Sequence, residues 1–137
     1  MMTRQEMADF VVEKLAGQNF VQSARLDGLS CLYRGPNGIK CAAGHLIPDN
    51  IYKTDFEGEV VDTLVCNHPE VLPCLECSDD KKPGRTASSL QAIHDSCEIP
   101  RDMIAVFRLF YLENNLDIMK FEQIVLDYRR RTEKEGE

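Results

Sequence analysis

The densest group of metal-binding side-chain types is Cys66-Asn67-His68 followed by Cys74-Leu75-Glu76-Cys77, spaced C-x-H-x5-C-x2-C. Zinc takes four nitrogen or sulfur donors in a tetrahedron at about 2.0–2.3 Å, and a C-x2-C pair brings two thiolates to one turn. Cys66, His68, Cys74 and Cys77 are therefore a candidate structural zinc site, and zinc is the one cofactor the sequence suggests. With all four positions held by the protein, no place is left for a water. The x5 gap is shorter than in common zinc modules and Pro69 and Pro73 restrict the bend, so buried or idle thiols are the competing reading.

A second constellation is His94-Asp95, with His45 or His68 upstream and Asp117 or Asp127 downstream. That order is similar to the H…HD…D arrangement of HD-type phosphohydrolases, helical enzymes whose adjacent His and Asp ligate a metal that activates water. On this reading His94 and Asp95 are the catalytic candidates. The competing reading is a core histidine, because His94 shares a helical stripe with Leu90, Ile93 and Cys97. A thiol triad of Cys41, His94 and Asp95 is weaker, since neighbouring helical residues point about 100° apart and Asp95 cannot easily orient the ring of His94. Gly35-Pro36-Asn37-Gly38 lacks the Lys-Ser/Thr of a phosphate loop. Arg129, Arg130, Arg131 and Lys134 are interleaved with no aromatics and run into Glu133, Glu135 and Glu137, so they read as a solvated helix end rather than a nucleic-acid surface.

These residues must be positioned by one domain: 137 residues leave little room for two cores. Sixteen Lys and Arg against 23 Asp and Glu give a net charge of −7, so no DNA binding is expected. No apolar window is long enough to span a bilayer, and Glu6, Asp9 and Glu13 interrupt the N-terminal apolar stretch, which reads as neither a membrane span nor a signal peptide. The expected place is a reducing cytosol, where the six cysteines stay as thiols or metal ligands.

Thr3 and Glu6 form a capping box, and Met7, Phe10, Val11 and Leu15 continue as a helix up to Gly17. Residues 30–34 and 39–42 flank Pro36-Asn37-Gly38, turn chemistry that predicts a two-stranded hairpin. The segment 55–80 carries Asp55, Glu57, Glu59, Asp62, Glu70, Glu76, Asp79 and Asp80 and no Lys or Arg. It reads as an insertion-like acidic face or a surface for a basic partner, followed by an exposed loop at 78–86. Thr86 can cap a helix bearing Leu90, Ile93, His94 and Cys97, and Pro100 suits the start of the next, with Met103, Val106, Phe107, Phe110 and Tyr111 on one stripe. A last helix carries Phe121, Ile124, Val125 and Tyr128. The expected fold class is α+β, mainly α: about four helices around one core with a small two-stranded β-hairpin.

Two blocks carry a resemblance. Cys31-Leu32-Tyr33-Arg34, Gly38-Ile39-Lys40-Cys41-Ala42-Ala43-Gly44, Leu46-Ile47-Pro48-Asp49, Tyr52 and Glu57-Gly58 form the first, and Leu90-Gln91-Ala92-Ile93-His94-Asp95 the second. In order and spacing, C-x-Y-R…G-x-K-C-x-x-G-x-L-I-x-D…Y…E-G and L-Q-x-I-H-D, the chain resembles a family of small, largely uncharacterised proteins of tailed bacteriophages and prophages. The resemblance covers about residues 31–58 and 90–112. It implies the cytoplasm of an infected bacterium and a host protein, such as one of defence, as the partner. That pattern fixes no histidine at His45 and lacks the Cys66, His68, Cys74, Cys77 cluster, so a metal there would be particular to this chain.

The shared polar residues suit two arrangements. Arg34 can pair bidentately with Asp49, Glu57 or Asp95 and lock the hairpin onto the Gln91–Asp95 helix, fixing register more than adding stability. Alternatively Arg34, Lys40, Asp49, Tyr52, Glu57, His94 and Asp95 line a pocket for a small anionic or nucleotide-like ligand. Both arrangements require residues 31–58 to dock on the helix of His94 and Asp95. The first functional expectation is a non-enzymatic accessory protein that binds a host macromolecule; the ligand binder and the hydrolase are the alternatives.

Overall fold

Thr3 starts α1 (Arg4–Gly17) as the sequence requires: its hydroxyl accepts from Glu6 N at 3.1 Å and the Glu6 carboxylate accepts from Thr3 N at 3.0 Å. The structure, a computed structural model, describes residues 1–23, 25–26 and 30–135. Among these residues the α-helices that follow are α2 (Ala42–Leu46), α3 (Val61–Asn67), α4 (Leu72–Leu75), α5 (Arg85–Ser96), α6 (Pro100–Glu113) and α7 (Met119–Glu135). Short 3-10 turns at Pro36–Gly38, Thr54–Phe56 and Pro69–Val71 join the smaller ones. Of the basic and acidic run at the C-terminus, Glu137 and the side chains of Lys134 and Glu135 lie outside the described residues.

The fold class is all-helical, which corrects the expected α+β fold with a hairpin. Asn37 does adopt the left-handed turn conformation, φ 61°, and Gly38 follows at φ 75°. The flanking segments nevertheless meet only at the single bridge Arg34–Lys40. After it, Cys41 caps α2 with its sulfur accepting from Gly44 N at 3.3 Å, so Ala42 and Ala43 become helical instead of continuing a strand. Two-residue pairing is confined, among the described residues, to Arg25–Leu26 (β1) against Ser30–Cys31 (β2), too little to make a layer.

Helices α1 and α5 are central. α1 packs against α7, α2 and α5, and α5 against α2, α3 and α6. Met7, Val11, Val12 and Leu15 of α1 meet Phe107 and Tyr111 of α6 and Phe121 and Val125 of α7 in one buried cluster. Each such side chain contributes about 1.5–3 kcal/mol by leaving water. Polar clasps then fix the register: Tyr111 Oη donates to Asp9 at 2.7 Å, and Gln5 exchanges hydrogen bonds with the backbone of Asp117. Arg131 Nη2 donates to Ala16 O at 2.6 Å, so this arginine ties α7 to the end of α1 rather than facing only solvent.

The acidic segment contributes Phe56, Val61, Leu64, Val71 and Leu75 to the core, while Asp55, Asp62, Glu70 and Asp79 stay exposed. Thr86 is not the cap of α5. Gly84 stands there in left-handed conformation, φ 82°, and Asp80 accepts from both Thr86 N (3.3 Å) and Thr86 Oγ1 (2.6 Å) in the first turn. Among the described residues no helix is long and apolar enough to cross a membrane.

Candidate functional site

Residues 31–58 do dock on α5, through α2. Ala43 N donates to Gln91 Oε1 at 2.8 Å in a buried bond, and Gln91 Nε2 donates onward to Asp95 Oδ1 at 2.8 Å. Gln91 and Asp95 are one helical turn apart, which places both side chains on one face. Gln22 closes the end of α5 by donating to the carbonyls of His94 (3.1 Å) and Asp95 (2.9 Å). Within residues 31–58, α2 lies so close to the segment before it that a Cβ on Gly44 would lie 1.9 Å from Tyr33 O, so only glycine fits. The glycine in the G-x-K-C-x-x-G run is thus a contact residue.

The other polar residues gather into two groups on either side of Tyr33. In the first, the Glu57 carboxylate accepts from Tyr33 N (2.7 Å), Arg34 N (3.1 Å) and Tyr52 Oη (2.6 Å). Arg34 places Nη1 2.7 Å from Asp49, donates Nη2 to Ile47 O at 2.9 Å, and lays its guanidinium 4.3 Å from the Tyr52 ring centre; its buried Nε has no partner. Burial and the Glu57 hydrogen bond push the Tyr52 phenol up to about 12, so it stays a donor. Arg34, Asp49, Tyr52 and Glu57 therefore spend their polar atoms largely on one another. Lys40 stands apart: Gln18 clasps its backbone, accepting from Lys40 N at 3.2 Å and donating to Lys40 O at 2.6 Å. The same Gln18 oxygen is 2.9 Å from His45 Nε2. Burial, then the Lys40 charge, lowers the His45 pKa to about 4 and keeps its ring neutral.

The second group is Cys31, His94 and Asp95, whose donor atoms all lie within 4.8 Å of one another. His94 is wholly buried, with Nδ1 3.3 Å from Asp95 Oδ1 and Nε2 without a hydrogen-bond partner. Beside this group is a cavity of about 250 Å³ between residues 31–33, residues 59–61 and the Ser88, Gln91, Ala92 and Asp95 side of α5. Tyr33 forms part of its wall, and its hydroxyl donates to Glu59 O. Desolvation pushes the Tyr33 phenol far up, so it too is a donor. The volume is below the roughly 300–1,000 Å³ of ordinary small-molecule pockets, which suits a few waters or a small ligand better than a nucleotide.

The four expected zinc ligands do not converge. Cys66 is exposed, and Cys77 is buried with its sulfur 3.5 Å from Met7 Sδ. His68 packs against Phe56, ring centres 4.8 Å apart and tilted by 58°, between two carboxylates, Nε2 3.4 Å from Glu59 and Nδ1 3.6 Å from Glu70. Desolvation raises the thiols of Cys74 and Cys77, the latter to about 12. The hydrolase set is likewise dispersed: Asp117 accepts from Met119 N at 2.9 Å at the start of α7, and Asp127 is exposed and bound to Gln123. Cys41 is buried, and desolvation holds its thiol well above its usual range, so it is no nucleophile. Sequence reasoning missed the place of Cys31 beside His94, and the roles of Gln18, Gln22 and Gln91. For Gln91 the spacing to Asp95 was the signal.

No family model, curated protein or solved structure matches this chain.

Proposed function

We propose that this protein is a non-enzymatic accessory protein that acts by binding a host macromolecule through its acidic segment 55–80. The observation behind the reading is the build of that segment. Phe56, Val61, Leu64, Val71 and Leu75 anchor it in the core, and Asp55, Asp62 and Glu70 are exposed between them. The acids are thus held on short helices instead of floating on a loop, a preorganised surface whose ordering cost is met by folding. Its sign, within a chain of net charge −7, favours a basic protein partner and disfavours DNA. The likeness of residues 31–58 and 90–112 to proteins of tailed phages supports a bacterial host as the source of that partner, and its cytoplasm as the place.

The mutual engagement of Arg34, Asp49, Tyr52 and Glu57 supports reading them as scaffold rather than as ligand contacts. Affinity capture from bacterial lysate tests the function when run with the intact chain and with Asp55→Lys/Asp62→Lys at low and high salt. A partner held at low salt, released at high salt and lost from the charge-reversed variant is expected. Equal capture by both chains, or none by either, overturns the acidic-surface reading. Glu113→Lys/Glu133→Lys, on α6 and α7, is the control for the same change of net charge alone.

A further inference from the structure

We propose that Cys31, His94 and Asp95 bind a divalent transition-metal ion of the zinc type, with an open coordination position facing the cavity beside α5. Among the described residues no other group of three or more His, Cys, Asp or Glu side chains brings its donor atoms so close together. Donors on a tetrahedral ion with bonds of about 2.0–2.3 Å lie roughly 3.3–3.8 Å from one another. The 3.3 Å between His94 Nδ1 and Asp95 Oδ1 is already such an edge. With all three donors inside 4.8 Å, drawing in the sulfur takes a shift of about 1 Å, within reach of side-chain rotation.

The donor set selects the ion. One imidazole, one sulfur and one carboxylate oxygen suit zinc and its neighbours, whereas calcium and magnesium want six or more oxygens. Charge is consistent with burial: a dication, a thiolate and a carboxylate sum to zero. On binding, the Cys31 proton leaves to solvent and the sulfur lone pair goes to the metal, so affinity falls as pH falls. The buried His94 ring points the same way. Nδ1, the nitrogen on that edge, has only the 3.3 Å contact with Asp95. A ring nitrogen that ligates a cation is satisfied by it. An outer partner is already in place, because Gln91 donates to Asp95 Oδ1 at 2.8 Å and is itself fixed by Ala43 N. Three protein ligands leave a fourth position, and Cys31 and Asp95 both border the cavity, so that position has room for water or a small anion. This site is independent of the acidic surface proposed above.

Titration of the metal-free intact chain with cobalt chloride, followed by zinc chloride in competition, tests the proposal through absorbance. The expected result is one equivalent bound, with a sulfur-to-cobalt band in the near ultraviolet and tetrahedral bands in the visible, all bleached by zinc. Cys31→Ser should remove the sulfur band and weaken binding by at least about 100-fold, and Asp95→Asn should weaken binding without disturbing the core. Cys66→Ser/Cys74→Ser should behave as the unaltered chain. No cobalt binding by the unaltered chain, an unchanged band in Cys31→Ser, or loss of the band in Cys66→Ser/Cys74→Ser overturns the site. Asp95→Asn carries the test if Cys31→Ser does not fold.

Discussion

The two polar groups that flank Tyr33 are finished to different degrees. Around Glu57 a carboxylate meets three donors, and the Arg34 side chain has a carboxylate, a carbonyl and an aromatic face. Around His94 an imidazole is wholly buried with one ring nitrogen unmatched, a sulfur and a carboxylate lie within reach, and a cavity adjoins them. Both groups are made of residue types that could bind a ligand. The first has met its hydrogen-bonding demand everywhere but at Arg34 Nε and acts as a joint; the second brings three donor atoms together beside a cavity. Residue type alone does not separate scaffold from site, whereas the convergence of donor atoms beside a cavity does.

The largest expected effect comes from breaking the seam that supports both groups. Gly44→Ala puts a Cβ 1.9 Å from a backbone oxygen of Tyr33, which cannot swing aside as a side chain would. A loss of about 4 kcal/mol or failure to fold is expected, read by chemical denaturation. Next, Glu57→Ala strands the Tyr33 and Arg34 amides and the Tyr52 hydroxyl, and should cost about 3 kcal/mol while leaving cobalt binding intact. Glu57→Gln keeps the shape and should cost less. If either Glu57 variant abolishes metal binding, the two groups are not separable.

A smaller effect follows from His45, whose pKa of about 4 lies below the ordinary value near 6.5. As pH falls from about 6.5 towards 4, the unfolded chain takes up a proton that the folded chain refuses, so stability is full above this window and lost through it. Thermal melts across that range should show a decline of about 1–2 kcal/mol in the unaltered chain that His45→Gln removes, the amount being held down by the partial exposure of the ring. A decline of equal slope in both chains assigns it to carboxylates instead. Smallest is Asp49→Asn. The Asp49 side chain is 88% exposed, so its 2.7 Å bridge to Arg34 should be worth under about 1 kcal/mol by denaturation. A larger loss would make Asp49 part of the joint.

The long elements were legible in the sequence. The Thr3 capping box, the Met103 to Tyr111 stripe and the buried Phe121 and Val125 follow from local chemistry and a period that persists for several turns. Helices α2, α3 and α4 run for 5, 7 and 4 residues, too short for a period to show. At residues 30–42 the turn chemistry was read correctly at Asn37 and Gly38, but the outcome was decided by packing. Ala42, Ala43 and Gly44 are small enough for α2 to lie against α5 and Tyr33, and that contact outweighs the extended alternative. For the site, the buried His94 could be anticipated from its stripe. Its meeting with Cys31 could not, because a contact between distant segments leaves no local pattern. The C-x2-C spacing at Cys74 and Cys77 drew attention through a local pattern, and the fold placed Cys77 against Met7 instead.

The contrast between the two groups is tested most directly by melting three chains, the unaltered protein, Glu57→Gln and Cys31→Ser, with and without saturating zinc chloride. An ion bound only to the folded state at 100 times its dissociation constant raises stability by about 2.7 kcal/mol. The account predicts that zinc lifts the melting temperature of the unaltered chain and of Glu57→Gln by the same amount and leaves Cys31→Ser unmoved. A shift lost in Glu57→Gln and kept in Cys31→Ser, or absent from the unaltered chain, would contradict it.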